Sequence, residues 1–268
     1  MTYLRIDGND LYEEVHGTGD PVLLLHGGFC SLESLQVVRD ALVADHRVLA
    51  FERPGHGRSA DVAEEYSYAR GVTETLAYLG AHGLGTVDVV GYSDGAIIGL
   101  LLASEHPGRV RSLVAISANL DPSAFTHSPE AASAPALGAP HPADAAAEGT
   151  PVGDALADAG PDPERARYER LSPDGPEHAD VVLAKLLRLW TSEPRIDPAD
   201  LAHVTARTLV MSGDRDTIRP DHSLLIASSV PGAQLCVVPG TTHGLVAERP
   251  GLVSAIVRDF LRAGGPAA

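Results

Sequence analysis

Lysine is almost absent from this chain: Lys185 is the only one among 268 residues, and arginine carries nearly all the positive charge. With 20 basic against 36 acidic residues, the formal net charge is −16. Such a surface repels phosphate backbones and anionic lipid headgroups. No basic run offsets it, so neither nucleic acid nor a membrane surface is expected as a partner. Aromatic residues make up only 4%, so the core must come from Leu, Val, Ile and Ala. Cysteine is scarce too. Cys30 and Cys236 allow one disulfide by arithmetic but no disulfide framework, and a reducing cytoplasm is the simpler expectation. No apolar run is long enough to cross a bilayer. Met1 to Asp10 carries charges and no apolar h-region, so no secretory signal is expected.

What remains is the composition of an ordinary globular protein, 44% hydrophobic and 21% charged. The length suits one large α/β domain with a small insertion. Tyr3 to Ile6 and Leu11 to Val15 alternate around Gly8-Asn9-Asp10 and read as a β-hairpin. Pro21 to Leu25, Arg47 to Phe51, Thr86 to Val90, Arg111 to Ile116, Thr208 to Met211 and Leu235 to Val238 are short apolar runs. They have the look of strands buried on both faces. Helical spacing falls between them at Ser34 to Ala44, Tyr68 to Leu79, Ala96 to Glu105 and Leu252 to Leu261. This alternation implies βαβ units and a mostly parallel, doubly wound sheet.

The alternation breaks once. From Asn119 to about Asp162 the chain is rich in Ala, Pro, Gly, Ser and Asp, and reads as a loop or a weakly packed part of a lid. Helical spacing returns at Pro163 to Tyr168 and Ala179 to Trp190. The expected division is a core of residues 1–118 and 204–268, with a lid at 119–203. A lid there sits above the C-terminal strand edges, where open α/β sheets bind ligands.

Gly91-Tyr92-Ser93-Asp94-Gly95 lies between a buried strand and an apolar helix. This is the G-x-S-x-G pattern, in which a tight turn forces the serine into a strained backbone and presents its hydroxyl. A hydroxyl needs a base to become a nucleophile. His243, in the Gly-flanked loop after the Leu235 to Val238 strand, is the best candidate among twelve histidines. An acid must then hold the imidazole in the right tautomer. Asp216, in Gly213-Asp214-Arg215-Asp216, is favoured over Asp214, which can cap the turn, and over Asp121. Acyl transfer also needs N–H donors for the oxyanion. The candidates are the backbone of Asp94, just after the nucleophile, and Gly28 in the loop His26-Gly27-Gly28-Phe29, with Gly28 preferred to Phe29. Leu183, Leu186, Leu187 and Trp190 share one helix face, which suits packing or an apolar pocket wall.

Taken together, His26-Gly27-Gly28, Arg53 to Ser59 (Arg-Pro-Gly-His-Gly-Arg-Ser), Gly91 to Gly95, Gly213 to Asp216 and His243 resemble the α/β-hydrolase superfamily, in that order. The resemblance covers nearly the whole chain outside Asn119 to His178. It implies the α/β-hydrolase fold with an inserted helical lid. It also implies a catalytic Ser93, Asp216 and His243, oxyanion donors at Gly28 and Asp94, and no metal or organic cofactor. Glu52 stands where the family often has Asp. The Ser93-Asp94-Gly95 run resembles the valacyclovir-hydrolase-like and small-ester branches, which implies a side-chain carboxylate able to meet a substrate amine. Phe29, Asp94 and Trp190 are the candidate substrate contacts. The expected function is hydrolysis of a small carboxylic ester or related lactone, thioester or amide. The alternatives are a carbon–carbon bond hydrolase and a hydrolase-fold binding protein that is slow or non-catalytic. The sequence does not fix the oligomeric state.

Overall fold

A computed structural model describes residues 2–126 and 163–263. Eight strands form one sheet: β1 (Thr2–Ile6), β2 (Asn9–His16), β3 (Asp20–Leu25), β4 (His46–Phe51), β5 (Val87–Tyr92), β6 (Val110–Ile116), β7 (Arg207–Gly213) and β8 (Gln234–Val238). Their order across the sheet is β1-β2-β4-β3-β5-β6-β7-β8. The β1–β2 and β2–β4 pairs are antiparallel and all the others are parallel. The sequence reading of a hairpin feeding a doubly wound parallel sheet therefore holds.

The continuous apolar runs have a direct cause. Successive side chains on a strand point to opposite faces, and here each face meets its own core. Leu23, Leu25, Val89, Leu113, Ala115 and Val210 face one cluster. Val22, Leu24, Val90, Val114, Ile116, Leu209 and Met211 face the other. The first core is covered by α2 (Tyr68–Ala81) and α3 (Asp94–Glu105), and the second by α1 (Gln36–Leu42) and α8 (Pro250–Arg262). A fully buried Leu or Val contributes about 1.5–3 kcal/mol, so a polar residue at either parity would be costly.

The remaining described α-helices are α4 (Pro163–Leu171), α5 (Ala179–Ser192), α6 (Pro220–Ser229) and α7 (Leu245–Glu248). Between β6 and β7 the described chain supplies α4 and α5, and α5 packs Val182, Leu186 and Leu189 into the first core. Most of the segment read as loop or weakly packed lid, 127–162, lies outside the described residues. Helix α6 has no counterpart in the sequence reading. It buries His222, Ser223, Ile226 and Ala227 while leaving Leu224 at 55% and Leu225 at 39% exposure. Its inner face is half polar and its outer face carries Leu224 and Leu225 beside Asp221, Ser228 and Ser229, so its hydrophobic pattern carries no signal of its orientation.

The strand order locates the site. The connection from β3 to β4 places α1 on one face of the sheet, and the connection from β4 to β5 places α2 on the other. The winding therefore reverses between β3 and β5, whose carboxyl ends lead into His26 and Ser93. Open α/β sheets form their ligand crevice at such a switch point. Among the described residues no helix is long and apolar enough to cross a membrane, and Cys30 and Cys236 are both free thiols.

Candidate active site

Ser93 caps the start of α3 with φ 53° and ψ −118°. That backbone region is strained for a residue with a side chain, at a cost of about 1–3 kcal/mol. The surroundings over-determine it. Ser93 N–H donates to Ile116 O at 2.8 Å, and Ser93 O accepts from Ala96 and Ile97. The flanking glycines are steric necessities. A Cβ at Gly95 would lie 2.0 Å from Leu25 O, and one at Gly91 would lie 2.3 Å from Gly95 O. The turn is tight because strand β3 and helix α3 approach to backbone contact.

Three distant side chains meet above this turn. Ser93 Oγ lies 3.0 Å from His243 Nε2, and His243 Nδ1 lies 2.7 Å from Asp216 Oδ1. Asp216 is 3% exposed. Burial pushes its carboxyl up, but hydrogen bonding and charge from His243, with the Ser117 hydroxyl and Ile218 N–H, outweigh burial and hold it below the usual carboxylate range. An ionised carboxylate can only accept, so the hydrogen sits on His243 Nδ1 and Nε2 is left to accept from the serine hydroxyl. Asp214, expected to cap its turn, instead ties that turn to the loop after β8: its Oδ1 accepts from Thr241 N–H at 3.0 Å. Asp121 caps a short turn through Ser123 N–H and pairs with Arg195.

The sequence reading missed two supports of this arrangement. Ser117, at the end of β6, donates to Asp216 Oδ2 at 2.5 Å. Tyr92 Oη donates to His243 O at 3.0 Å and steadies the loop that carries the imidazole. A serine just past a buried strand carries no distinguishing pattern. Tyr92 lies inside the pentapeptide but at its variable position.

The loop after β3 runs beside the serine. A Cβ on Gly27 would lie 3.3 Å from Ser93 Cβ, and one on Gly28 would lie 2.5 Å from Trp190 Cζ2 and 2.6 Å from Asp94 Oδ2. Gly28 therefore admits no side chain without moving the indole and the carboxylate. Among the described residues the N–H groups of Gly28 and Asp94 donate to no protein acceptor. Asp94 is 1% exposed. Its Oδ1 accepts from Tyr68 Oη at 3.0 Å and Trp190 Nε1 at 2.9 Å, and the Arg53 guanidinium stands 3.7 Å from Oδ2. Trp190 thus joins α5 to the first residue of α3. Phe29 has φ 54° and is 6% exposed, with its ring stacked on Tyr168 at 5.2 Å.

Glu52 is fully buried. It accepts from Leu32 N–H at 3.0 Å and pairs with Arg58 at 2.7 Å, tying the Arg53 to Ser59 loop to the segment that follows Phe29. A second tie joins α5 to the core. Lys185 Nζ and His178 Nε2 each lie 2.9 Å from Asp61 Oδ2, and Tyr66 Oη donates to Asp61 Oδ1 at 2.6 Å. Burial raises the Asp61 carboxyl, but these hydrogen bonds outweigh it and leave the group well below its usual range.

Comparison with known proteins gives the chain a family. Residues 22–256 match the model of a family described as the alpha/beta hydrolase family. A putative carbamate hydrolase RutD of Azorhizobium caulinodans is 35% identical over 119 residues, 44% of this chain and 44% of that protein. A 2-hydroxymuconate semialdehyde hydrolase of Pseudomonas putida is 30% identical across 91% of this chain and 88% of that one. The match thus spans less than half the length of the first relative and most of the second. Among solved structures, a hydrolase from Pseudomonas aeruginosa PA01 superposes with a TM-score of 0.72 at 25% identity, covering 97% of each chain.

Proposed function

From the premise that the chain belongs to the alpha/beta hydrolase family, we propose that it is a serine hydrolase. It cleaves a small carboxylic ester, or a related lactone, thioester or amide, through an acyl-enzyme. The observation that carries this reading is the unbroken chain from Ser93 Oγ to His243 at 3.0 Å and on to Asp216 at 2.7 Å, at the switch point of the sheet.

In the first stage His243 takes the Ser93 proton through Nε2, and Ser93 Oγ attacks the acyl carbonyl. The unoccupied N–H groups of Gly28 and Asp94 receive the oxyanion, aided by the positive end of α3. His243 then gives its proton to the leaving group. In the second stage it activates water, which opens the acyl-enzyme and frees Ser93. Asp216 stays ionised throughout and stabilises the imidazolium. The scheme draws only on side chains and main chain. Phe29, Asp94 and Trp190 cluster around Gly28 and are the proposed walls of the acyl-binding side.

A second reading, carbon–carbon bond hydrolysis, is favoured by the near full-length likeness to a 2-hydroxymuconate semialdehyde hydrolase. The compound in that name contains no ester, so its hydrolysis must break a carbon–carbon bond. The same three residues serve either reaction. Exposure to a fluorophosphonate, followed by rates on p-nitrophenyl esters of rising acyl length, lactones, amino-acid esters and a vinylogous diketone, tests both readings. Stoichiometric labelling abolished in Ser93→Ala, with the highest rate on an ester or lactone, is the expected outcome. A native protein that takes no label and turns over none of these compounds would overturn it.

A further inference from the structure

The loop between β3 and Phe29 is held from behind by two buried groups to which the proposed mechanism gives no task. His26 and Arg53 are 1% and 7% exposed. His26 Nδ1 lies 2.7 Å from Gly27 O, and a carbonyl only accepts, so this nitrogen carries the hydrogen. His26 Nε2 accepts from Arg53 N–H at 3.0 Å, which fixes the same neutral tautomer from the other side of the ring. Arg53 Nη2 then reaches forward and donates to Gly27 O at 3.1 Å and to His26 O at 3.2 Å. The Gly27 carbonyl therefore accepts two hydrogen bonds, one of them from a cation. Burial, reinforced by the Arg53 charge, holds the His26 imidazole well below its ordinary pKa and so neutral.

The Gly27–Gly28 peptide is trans. In a trans peptide the carbonyl and the following N–H point in opposite directions. A Gly27 carbonyl locked toward Arg53 sends the Gly28 N–H the other way, and the loop it belongs to runs past Ser93 Cβ. Hydrogen bonds to the carbonyl also polarise the amide, so the N–H becomes a better donor. We infer that His26 and Arg53 are positioning residues that clamp the Gly27–Gly28 peptide, aiming and polarising the Gly28 N–H toward the oxyanion. The Arg53 guanidinium also stands 3.7 Å from the carboxylate of Asp94, the residue that supplies the other proposed donor. One cation thereby holds both halves of the oxyanion site in register. This inference rests on the serine-hydrolase reading.

The test compares Arg53→Met, Arg53→Lys, His26→Leu and His26→Asn in the full chain. Each is normalised to the number of serines titrated to completion by a fluorophosphonate, and kcat, KM and the inhibition constant of a boronic acid are measured. Deleting an oxyanion donor outright costs roughly 100- to 1,000-fold in kcat, so misaiming one should cost about 10- to 100-fold per titrated serine in Arg53→Met and His26→Leu. KM should stay within about threefold, because the carbonyl is bound before charge develops. The boronic acid should weaken in parallel with kcat. His26→Asn, whose amide can still donate to Gly27 O, should recover most of the loss. Arg53→Lys keeps the charge but not the fork, and should fall between the native protein and Arg53→Met. A purely structural role would instead lower the fraction of titratable serines and leave the rate per serine unchanged, and that result overturns the clamp alone. Should Arg53→Met fail to fold, native kcat per titrated serine in Arg53→Lys overturns it equally. A native protein with no titratable serine overturns the hydrolase reading and the clamp together.

Discussion

Lowering the pH from 7.5 to 5.0 should strip stability from this protein. The cause is three histidines buried in the neutral form. His26, His56 and His222 are 1%, 2% and 6% exposed. Burial, reinforced by the Arg219 charge, lowers His222 to about 4, and burial with the Arg53 charge lowers His56 to about 3. His26 is also held well below its ordinary range. His222 Nε2 accepts from Leu120 N–H at 2.9 Å, so protonation there would set donor against donor. The folded pKa lies below the unfolded value of about 6.5, so the unfolded chain binds protons first. The stability these groups confer is complete above pH 6.5 and is lost as pH falls toward 4 for His222 and toward 3 for His56. At pH 5 His56 and His222 have each given up about 1.5 pH units at about 1.4 kcal/mol per unit, or about 2 kcal/mol, roughly 4 kcal/mol together, and His26 adds to the loss in the same direction. That is a large fraction of the 5–15 kcal/mol typical of a domain. Urea unfolding followed by far-UV circular dichroism at the two pH values reads the difference directly. His222→Gln, whose amide oxygen can accept from Leu120, should shrink the drop by about 2 kcal/mol. A stability unchanged between pH 7.5 and 5.0 would refute the reasoning.

Three substitutions probe other parts of the structure. Ser117→Ala removes the 2.5 Å hydrogen bond to Asp216. A hydrogen bond to a charged group is worth about 1.5–3 kcal/mol, so kcat should fall roughly tenfold and the acid limb of its pH profile should move upward. Gly95→Ala places a methyl 2.0 Å from Leu25 O; it should cost at least about 3 kcal/mol of unfolding free energy or prevent folding. Lys185→Met breaks a buried ion pair with Asp61, yet Tyr66 and His178 still donate to that carboxylate. A thermal or urea melt should show a loss of about 2–3 kcal/mol, smaller in the Lys185→Met/Asp61→Asn double variant, where no unpaired buried charge remains.

The sheet was legible because strands buried on both faces must be apolar at both parities. Runs such as Val22 to Leu25 and Leu113 to Ile116 are too short for a buried helix and too apolar for a surface strand. The candidate site was legible where backbone geometry restricts the residue type, as at Gly91 and Gly95, or where chemistry does, as at Ser93 and His243. Choosing Asp216 over Asp214 needed the order of residues beyond β7. The two carboxylates differ in what they reach, His243 for one and Thr241 N–H for the other. Helix α6 was not legible because its buried face includes His222 and Ser223, polar residues that a hydrophobic pattern places outside. Arg53, Tyr68 and Trp190 converge on Asp94 from three separate segments, and no local pattern announces such long-range pairing. The first core explains Leu186 as packing, whereas Trp190 combines packing with a hydrogen bond to Asp94 that its helical spacing does not reveal.

The most direct test of the account is pre-steady-state turnover of a p-nitrophenyl ester, with the reaction quenched in acid during the first turnover and digested for mass spectrometry. The account predicts a burst of nitrophenolate equivalent to the enzyme present. The acyl mass should sit on the peptide containing Ser93, and both signals should vanish in Ser93→Ala and diminish by orders of magnitude in His243→Ala. An acyl group carried by another residue, or steady turnover undiminished in Ser93→Ala, would contradict it.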